Sequence, residues 1–164
     1  MLRKIGDLLL FILLAGAAIY VIMLLPEQTV EGAVNVIDGD SLHVGGQEIR
    51  LLGIDAPEAL QTCTDQAGGE WPCGREATRT LRHLTRDGDV NCTGEGYDKY
   101  DRLLAQCIAG KLDINGEMVR LGFAISDDQQ DFVYSAQQAE ARAARRGIWR
   151  GRFQTPHEWR AERE

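Results

Sequence analysis

The sequence has no internal repeat, no low-complexity tract and no excess of basic residues. Its 18 lysine and arginine residues are outnumbered by 25 aspartate and glutamate residues in a chain of 164. These absences exclude a collagen, a coiled coil and a uniformly basic protein that coats nucleic acid. The composition, 44% hydrophobic and 26% charged, is typical of one packed domain of ordinary size.

Only one long apolar run occurs, which excludes a multi-pass membrane protein. Residues Leu8–Leu25 carry no charge, and as a helix they would span roughly 27 Å, close to the thickness of bilayer hydrocarbon. Arg3 and Lys4 precede the run and favour a cytoplasmic amino terminus. We therefore expect residues 1–7 in the cytoplasm, an uncleaved single-pass anchor at 8–25 and a linker at 26–31. A signal peptide cleaved near Ala15–Ala17 and a buried helix remain alternatives.

The four cysteines, Cys63, Cys73, Cys92 and Cys107, all follow the apolar run. Disulfides persist in oxidising compartments, so these cysteines agree with a domain on the extracytoplasmic, or periplasmic, side of an inner membrane. Three pairings are possible, and proximity in sequence favours Cys63 with Cys73 and Cys92 with Cys107. The absence of CxxC spacing and of a nearby histidine pair argues against a zinc site.

Short alternating segments predict a mainly β domain of the α+β class. They indicate five strands and three helices in the order β-β-β-α-β-β-α-α, which suits a five-stranded OB-fold barrel with packed helices. We expect this domain at residues 32–149 and a charged tail at 150–164. The predicted strands lie at 33–37, 41–44, 48–54, 89–93 and 103–109, and the predicted helices lie at Gly74–Arg86, from Asn115 as its cap to Gly122, and at Phe132–Arg146.

Acidic residues stand where the predicted strands end. Asp38 and Asp40 flank Gly39, and Asp55 and Glu58 follow the third strand. Hard cations such as Ca²⁺ prefer several oxygen ligands, so these carboxylates form a candidate cation site. The simpler interpretation is that each is a turn residue, because Asp-Gly-Asp favours a turn in any protein.

Two arginines in or beside predicted strands also require partners. Arg50 lies within an apolar strand and Arg102 opens the fifth strand, where an unpaired guanidinium is costly. Guanidinium groups match the geometry of phosphate oxygens, and a cation, a carboxylate base and two arginines are what phosphodiester cleavage needs. An internal ion pair with one of the same carboxylates remains the alternative for each arginine.

Several separated segments resemble the staphylococcal nuclease, or thermonuclease, family. The resemblance covers about Gly32 to Trp149. It is carried, in order, by Val36–Ser41, Ile49–Glu58, Asp98–Arg102, Val119–Ala124 and Gly147–Trp149.

The resemblance implies a Ca²⁺-dependent nuclease that cuts DNA or RNA at the 5′ P–O bond and leaves 3′-phosphate ends, without sequence specificity. Asp40, Asp55 and the main-chain carbonyl of Ala56 would bind Ca²⁺, with Asp38 just outside. Glu58 would be the general base for the attacking water. Arg50 and Arg102 would hold the phosphate and stabilise its growing charge, and Lys99 and Tyr100 would contact substrate.

The chain departs from the family pattern at two places. Asp101 stands where glycine often precedes the second arginine, and its carboxylate is a candidate ion-pair partner of Arg102. No tyrosine follows Ala124 in the position expected to stack on a base, so Tyr97, Tyr100 or Tyr134 are candidates for that contact.

Charge sets a further expectation, and two other functions remain open. Residues 27–164 hold 16 basic and 24 acidic side chains, a formal charge of −8, so binding to a polyanion should be weak and salt-dependent. A related domain that binds nucleic acid or protein without turnover, and a calcium-stabilised structural domain, are the alternatives. The sequence indicates nucleic acid and a membrane as partners and no protein partner.

Overall fold

The computed structural model describes residues 11–17, 27–86, 88–127 and 134–163, with the side chain of residue 95 left aside. Residues 11–17 are α-helical, and we call this stretch α1. The other helices are α2 (Cys73–Leu84), α3 (Ile114–Arg120), α4 (Ser135–Ala143) and α5 (Pro156–Ala161), with a 3-10 helix at Gly147–Arg150. The strands are β1 (Gln28–Gly32), β2 (Val34–Val36), β3 (Ser41–Val44), β4 (Gln47–Leu51), β5 (Ile54–Asp55), β6 (Cys63–Asp65), β7 (Glu70–Trp71), β8 (Val90–Tyr97), β9 (Leu103–Ala109), β10 (Leu112–Asp113), β11 (Ile125–Ser126) and β12 (Gly151–Arg152).

The main sheet has the hydrogen-bonded order β1-β8-β9-β4-β3-β2, and β10 adds to β9. The β4–β9 pair is parallel, and the other pairs of this sheet are antiparallel. The two end strands, β1 and β2, are consecutive in the chain with only Ala33 between them. The predicted α+β class with an OB-like arrangement is confirmed. The prediction of only five strands is wrong, because the main sheet has seven strands and β11–β5 and β12–β6–β7 form two further small sheets.

Helix α2 closes one side of the core. Ala77 and Leu81, four residues apart, are fully buried, while charged residues occupy the rest of the helix surface. They pack with strand residues of the main sheet, including Leu42, Ile49 and Leu103. The predicted helix at Gly74–Arg86 is therefore confirmed with a shift of one or two residues.

Helix α3 begins differently from the prediction. Asp113, not Asn115, is the cap, and its carboxylate accepts a hydrogen bond from the amide of Gly116 at 3.1 Å. Asn115 lies inside the helix and is buried, because its side chain accepts from the amide of Cys107 and donates to two main-chain carbonyls. Asn115 thus joins the helix to the sheet instead of starting the helix.

The carboxyl-terminal region is more ordered than the sequence indicates. The helix predicted at Phe132–Arg146 is found as α4, and residues 132 and 133 lie outside the described part of the chain. The predicted charged tail contains β12, which pairs with β6, and helix α5. Thr155 and Glu158 form a reciprocal capping box at the start of α5, and Pro156 occupies its first turn and is buried. The tail is therefore part of the domain.

At the amino-terminal end, the predicted linker 26–31 instead supplies most of β1. The predicted anchor at 8–25 falls mostly outside the described residues, which include only 11–17 of it. Four apolar side chains there, those of residues 11–14, are between 57% and 71% exposed. Among the described residues, no helix has both the length and the apolar content needed to cross a bilayer.

Two disulfides join the four cysteines in the pairing that proximity favours. Cys63, in β6, is bonded to Cys73, the first residue of α2. Cys92 is bonded to Cys107 across β8 and β9, where the two residues face each other in register. Both bonds are buried. The first holds the loop that follows Glu58, and the second holds the central hairpin.

Candidate active site

The carboxylates of Asp40 and Asp55 lie together, Asp40 immediately before β3 and Asp55 at the end of β5. Asp55 is held by the pairing of β5 with β11, and the main-chain amide that follows it, that of Ala56, donates to Asp40 at 2.7 Å. Gly39 makes this approach possible, since a Cβ atom there would lie 2.6 Å from that of Ala56 and 2.9 Å from that of Ala77. The turn therefore packs directly on the loop that carries the second aspartate.

Arg50 bridges the two aspartates. Its guanidinium contacts Asp40 through Nη1 and Asp55 through Nη2, the latter at 2.9 Å. The side chain reaches this position from β4 and is about one-fifth exposed. Of the two possibilities that the sequence left open, the internal ion pair is the one observed for Arg50. The same contacts place its guanidinium beside the space between the two carboxylates.

These residues fit a divalent cation by the chemistry of their donors. The nearly buried carboxylates of Asp40 and Asp55 both contact the guanidinium of Arg50. Their negative charges therefore lie close together and already bind one cationic group. Among the described residues, no group of three or more His, Cys, Asp or Glu side chains is arranged to hold a metal ion. A cation here would therefore need oxygen ligands beyond Asp40 and Asp55, such as the main-chain carbonyl of Ala56 and water.

Asp38 stabilises the turn that carries Asp40. Its carboxylate accepts a hydrogen bond from the amide of Asp40 at 3.1 Å. Burial raises the pKa of Asp38, although the positive charges of Arg50 and Arg102 and hydrogen bonds from Ser41 act in the opposite direction. Asp38 therefore lies next to Asp40, a candidate cation ligand.

Glu58 lies on a loop that the main chain holds firmly. Its amide donates to the side chain of Gln61 at 3.1 Å, and its carbonyl accepts from the amide of Gln61 at 2.7 Å. Gln61 is fully buried. Gly74 of α2 approaches the carbonyl of Glu58 so closely that a Cβ atom there would lie 1.7 Å from the oxygen. The carboxylate itself is about one-third exposed and faces the site.

Arg160 is a site residue that sequence reasoning missed. From helix α5 its Nη1 lies 3.1 Å from Oδ1 of Asp55 and 2.6 Å from Oε1 of Glu58, while Nη2 lies 3.2 Å from Oδ2 of Asp55. Burial acts to lower the pKa of Arg160, but the hydrogen bonds and charges of Asp55 and Glu58 outweigh it and raise the pKa. The guanidinium is therefore a permanent positive charge on the two carboxylates.

Arg102 is paired with Asp98. Its Nε and Nη2 lie 2.7 and 2.6 Å from Oδ2 of Asp98, and its amide donates to Oδ1. Burial acts to raise the pKa of Asp98, but these hydrogen bonds and that from the amide of Tyr100 lower it overall. The expectation that Asp101 would be the partner is not what the structure shows. Asp101 instead has a φ of 65°, the left-handed conformation for which glycine is suited.

A serine hydroxyl joins Arg102 to the aspartates. Nη1 of Arg102 donates to Oγ of Ser41 at 3.2 Å, and that hydroxyl donates to Oδ1 of Asp40 at 3.2 Å. Ser41 is almost fully buried at the start of β3. The structure thus brings together the predicted residues Arg50, Arg102 and Asp40, with Ser41 as the link.

The remaining predicted substrate residues lie on the loop between β8 and β9. Tyr100 is two-thirds exposed, and its ring lies 4.9 Å from Nζ of Lys99 and 5.4 Å from the Cζ atom of Arg102. Tyr97 is also exposed. Tyr134 is not available for stacking, because it is only 3% exposed and its hydroxyl points to Asp113 at 3.4 Å.

An open groove of about 760 Å³ begins at Asp55. Arg50, Asp55 and Arg160 line one part of it, and Trp149 and Arg142 line another. The Cζ atom of Arg142 lies 4.2 Å from the centre of the Trp149 ring, so this exposed arginine covers an aromatic side chain.

Comparisons with known proteins relate the chain to nucleases, in agreement with the arrangement of the site. The family model described as staphylococcal nuclease homologue matches residues 48–151. A succinoglycan biosynthesis protein of Rhizobium meliloti is 32% identical over 154 residues, covering 90% of this chain and 76% of that protein. An uncharacterized endonuclease of Haemophilus influenzae is 33% identical over 137 residues, covering 79% and 71%. A thermonuclease of Staphylococcus hyicus is 30% identical over 135 residues, covering 75% and 76%. Arg160 lies beyond the matched range.

Proposed function

The chain belongs to the staphylococcal nuclease homologue family, a family of metal-dependent hydrolytic nucleases, and we propose that it is a Ca²⁺-dependent nuclease acting on DNA, RNA or both. It would cut phosphodiester bonds at the 5′ P–O position and leave 3′-phosphate ends. The proposal extends the resemblance to the particular side chains of this chain, whose roles are argued below.

One observation carries the proposal. Arg50 contacts both Asp40 and Asp55, and Arg160 contacts both Asp55 and Glu58. Acidic donors, a further carboxylate that is paired with Arg160, and guanidinium groups are therefore within one small region, which is the set that phosphodiester hydrolysis requires. The strand order, with β1 and β2 joined through Ala33, supports an OB-type barrel as the scaffold.

We assign the cation to Asp40, Asp55 and the carbonyl of Ala56. Hard oxygen donors of this kind suit Ca²⁺, whose coordination is completed by water. When bound, Ca²⁺ supplies positive charge that activates water and offsets the charge of the phosphate. Asp38 then keeps the Asp40 turn in place through its hydrogen bond to the Asp40 amide.

Glu58 is assigned as the general base. Its carboxylate is about one-third exposed, so water reaches it, while its backbone is fixed by Gln61. Removal of a proton from the attacking water by a fixed carboxylate contributes about 10²- to 10⁴-fold to the rate in enzymes generally.

Arg50 and Arg102 are assigned to the phosphate. Their guanidinium groups offer paired donors to its oxygens and stabilise the charge that grows there in the transition state. In the structure both are held by carboxylates, Arg50 by Asp40 and Asp55 and Arg102 by Asp98. These partners orient the guanidinium groups before substrate arrives. Lys99 and Tyr100, exposed beside Arg102, are assigned to the neighbouring part of the strand.

Sequence preference is not expected, because every assigned group addresses the backbone of the nucleic acid. The formal charge of −8 on residues 27–164 opposes binding of a polyanion, so affinity should be weak. The contacts of Arg50, Lys99 and Arg102 with phosphates would weaken further as salt rises.

A membrane-anchored, extracytoplasmic location is also proposed. The uncharged run at residues 8–25 follows Arg3 and Lys4, and the exposed apolar side chains at 11–14 suit a lipid environment. The two disulfides suit an oxidising compartment such as the periplasm.

Cleavage assays with a matched variant test the activity. The full chain, purified in a non-ionic detergent, is incubated with single-stranded DNA and with RNA, in Ca²⁺ or in chelator. We expect Ca²⁺-dependent cutting with 3′-phosphate ends, lost by at least about 100-fold in Glu58→Gln. Glu70→Gln, at an exposed glutamate of β7, is the control and should cut normally. Binding without cutting by the unaltered chain would favour the non-catalytic module instead.

A separate experiment tests the location. In bacterial cells carrying the full chain, an external protease is applied before and after the outer envelope is opened, and membranes are washed with alkaline carbonate. We expect the domain to stay with the membrane and to become cleavable only from the extracytoplasmic side. Release of the domain by carbonate would contradict the anchor.

A further inference from the structure

Arg160 contacts two carboxylates to which different roles are assigned. Its Nη1 and Nη2 atoms reach both oxygens of Asp55 at 3.1 and 3.2 Å, and Nη1 also reaches Glu58 at 2.6 Å. Asp55 is one of the proposed cation ligands, and Glu58 is the proposed base. A single guanidinium, which lines the groove, therefore contacts both carboxylates.

Hydrogen bonds of the carboxyl-terminal segment fix the position of Arg160. Helix α5 starts at the Thr155–Glu158 capping box, whose two hydrogen bonds are 2.8 and 3.2 Å long. Immediately before it, the carbonyl of Gln154 accepts from the side chain of Gln61 at 2.7 Å. Gln61 is the same buried residue that holds the backbone of Glu58. The segment that carries Arg160 and the loop that carries Glu58 are thus fixed to each other.

A carboxylate oxygen has two lone pairs, and each guanidinium that donates to it at about 3 Å occupies one of them. Both oxygens of Asp55 accept from Arg160, and Oδ1 also accepts from Arg50. A cation that binds Oδ1 must therefore displace a guanidinium, and one that binds Oδ2 must overcome repulsion from the guanidinium of Arg160. Arg160 is more exposed than Arg50, 38% against 19%, and is the easier of the two to displace.

We propose that Arg160 is a positioning residue of the active site that competes with the divalent cation for Asp55 while it holds Glu58 in place. The inference rests on the proposed function, since it concerns the same cation and the same base. Arg160 lies outside the range matched by the family model, so this competition is a property of the chain's own carboxyl-terminal helix. Its consequence is a higher cation requirement than the two aspartates alone would set.

The competition predicts the sign of a measurable change. When the guanidinium is removed, Asp55 loses a competing partner and the site loses a positive charge, so the protein should bind a cation more tightly. A residue that only stabilises the fold has the opposite effect or none, because its loss loosens the ligands. The direction of the change therefore separates the two roles.

Calorimetric titration with terbium chloride, a trivalent oxygen-seeking probe, measures this directly. The full chain in non-ionic detergent is compared with Arg160→Gln and with Arg160→Lys, which keeps a charge but loses the forked contact. We expect terbium to bind about tenfold more tightly to Arg160→Gln, with Arg160→Lys between the two. Arg163→Gln, two residues beyond the end of the same helix and paired with Glu162 at the surface, should match the unaltered chain.

Equal or weaker binding by Arg160→Gln would overturn the proposal, provided that thermal unfolding without terbium stays cooperative. If Arg160→Gln does not fold, Arg160→Lys alone decides, since tighter binding supports the competition and unchanged or weaker binding opposes it. Nuclease activity does not enter these measurements. If Arg160→Gln binds terbium more tightly but the unaltered chain cuts no nucleic acid, the proposed function is rejected and this inference stands. If the unaltered chain cuts normally and Arg160→Gln binds terbium no more tightly, the proposed function stands and this inference is rejected.

Discussion

The hydroxyl of Ser41 donates a hydrogen bond to Oδ1 of Asp40 at 3.2 Å. The same hydroxyl accepts from Arg102, so a neutral side chain connects a proposed phosphate ligand to a proposed cation ligand. Hydrogen bonds to charged groups contribute about 1.5–3 kcal/mol, which is enough to control how both side chains are aimed.

Replacement of this hydroxyl should lower activity with little loss of fold. For Ser41→Ala we expect kcat/KM to fall about tenfold, because Arg102 and Asp40 both lose a partner. Ser126→Ala is the matched control. That hydroxyl is also buried but has no hydrogen-bond partner among the described residues, so its removal should leave kcat/KM unchanged. Steady-state cleavage rates decide between them, and equal rates for both variants would contradict the link.

Gly74 should be essential to the position of Glu58. A methyl group at residue 74 would overlap the carbonyl of Glu58, so Gly74→Ala must push the base or the helix aside. We expect a loss of about 1–3 kcal/mol in the free energy of unfolding and a fall in kcat of about tenfold or more. Gly88→Ala has open space around it and should change neither quantity. Urea unfolding and initial cleavage rates measure the two effects, and a normal kcat in Gly74→Ala would contradict the argument.

The conformation of Asp101 predicts an order of stabilities. At a φ of 65°, glycine is unstrained, aspartate is tolerated and a β-branched residue is strongly disfavoured. Asp101→Gly should raise the free energy of unfolding by about 0.5 kcal/mol, and Asp101→Val should lower it by about 1–2 kcal/mol. Urea denaturation tests the order. A Val variant as stable as the Gly variant would show that the residue does not keep this conformation.

Tyr134 should make the fold sensitive to alkali. Burial, and then the negative charge and hydrogen bond of Asp113, raise the pKa of its phenol well above the usual value of about 10. Because the folded state keeps the proton that the unfolded state releases, stability is fully present below pH 10 and is lost as pH rises above it. Tyr134→Phe should remove this part of the loss. At pH 7 it should cost less than about 1 kcal/mol, since the hydrogen bonds it deletes are long.

Denaturation series at pH 7, 9, 10 and 11 measure the slope for both proteins. The unaltered chain should lose stability faster than Tyr134→Phe above pH 10. Parallel slopes would mean that the phenol ionises equally in the folded and unfolded states.

Much of the site could be predicted because its residues lie in short segments with a strong local pattern. Asp40, Arg50 and Asp55 each sit at the start, middle or end of a strand, and strand pairing brings them together. The pairing of Arg102 was harder, since the turn from Asp98 to Asp101 aims the first carboxylate, and not the nearer one, at the guanidinium.

Arg160 could not be placed from the pattern of its own segment. It is 102 residues from Glu58 in sequence, and only the packing of α5 through Gln154 and Gln61 brings the two together. A local signal for the helix was nevertheless present. Thr155, Pro156 and Glu158 form a helix-start pattern that would have indicated an ordered end to the chain.

The disulfide of Cys73 has a further consequence because Gly74 is the next residue. The bond to Cys63 and the tight contact with the Glu58 carbonyl lie side by side, so the covalent staple ends within one residue of the point where the helix touches the proposed base. A thiol reductant that opens this bond would therefore relax the alignment of Glu58 before it melts the sheet. Reducing conditions should therefore lower the turnover rate first and unfold the domain only later.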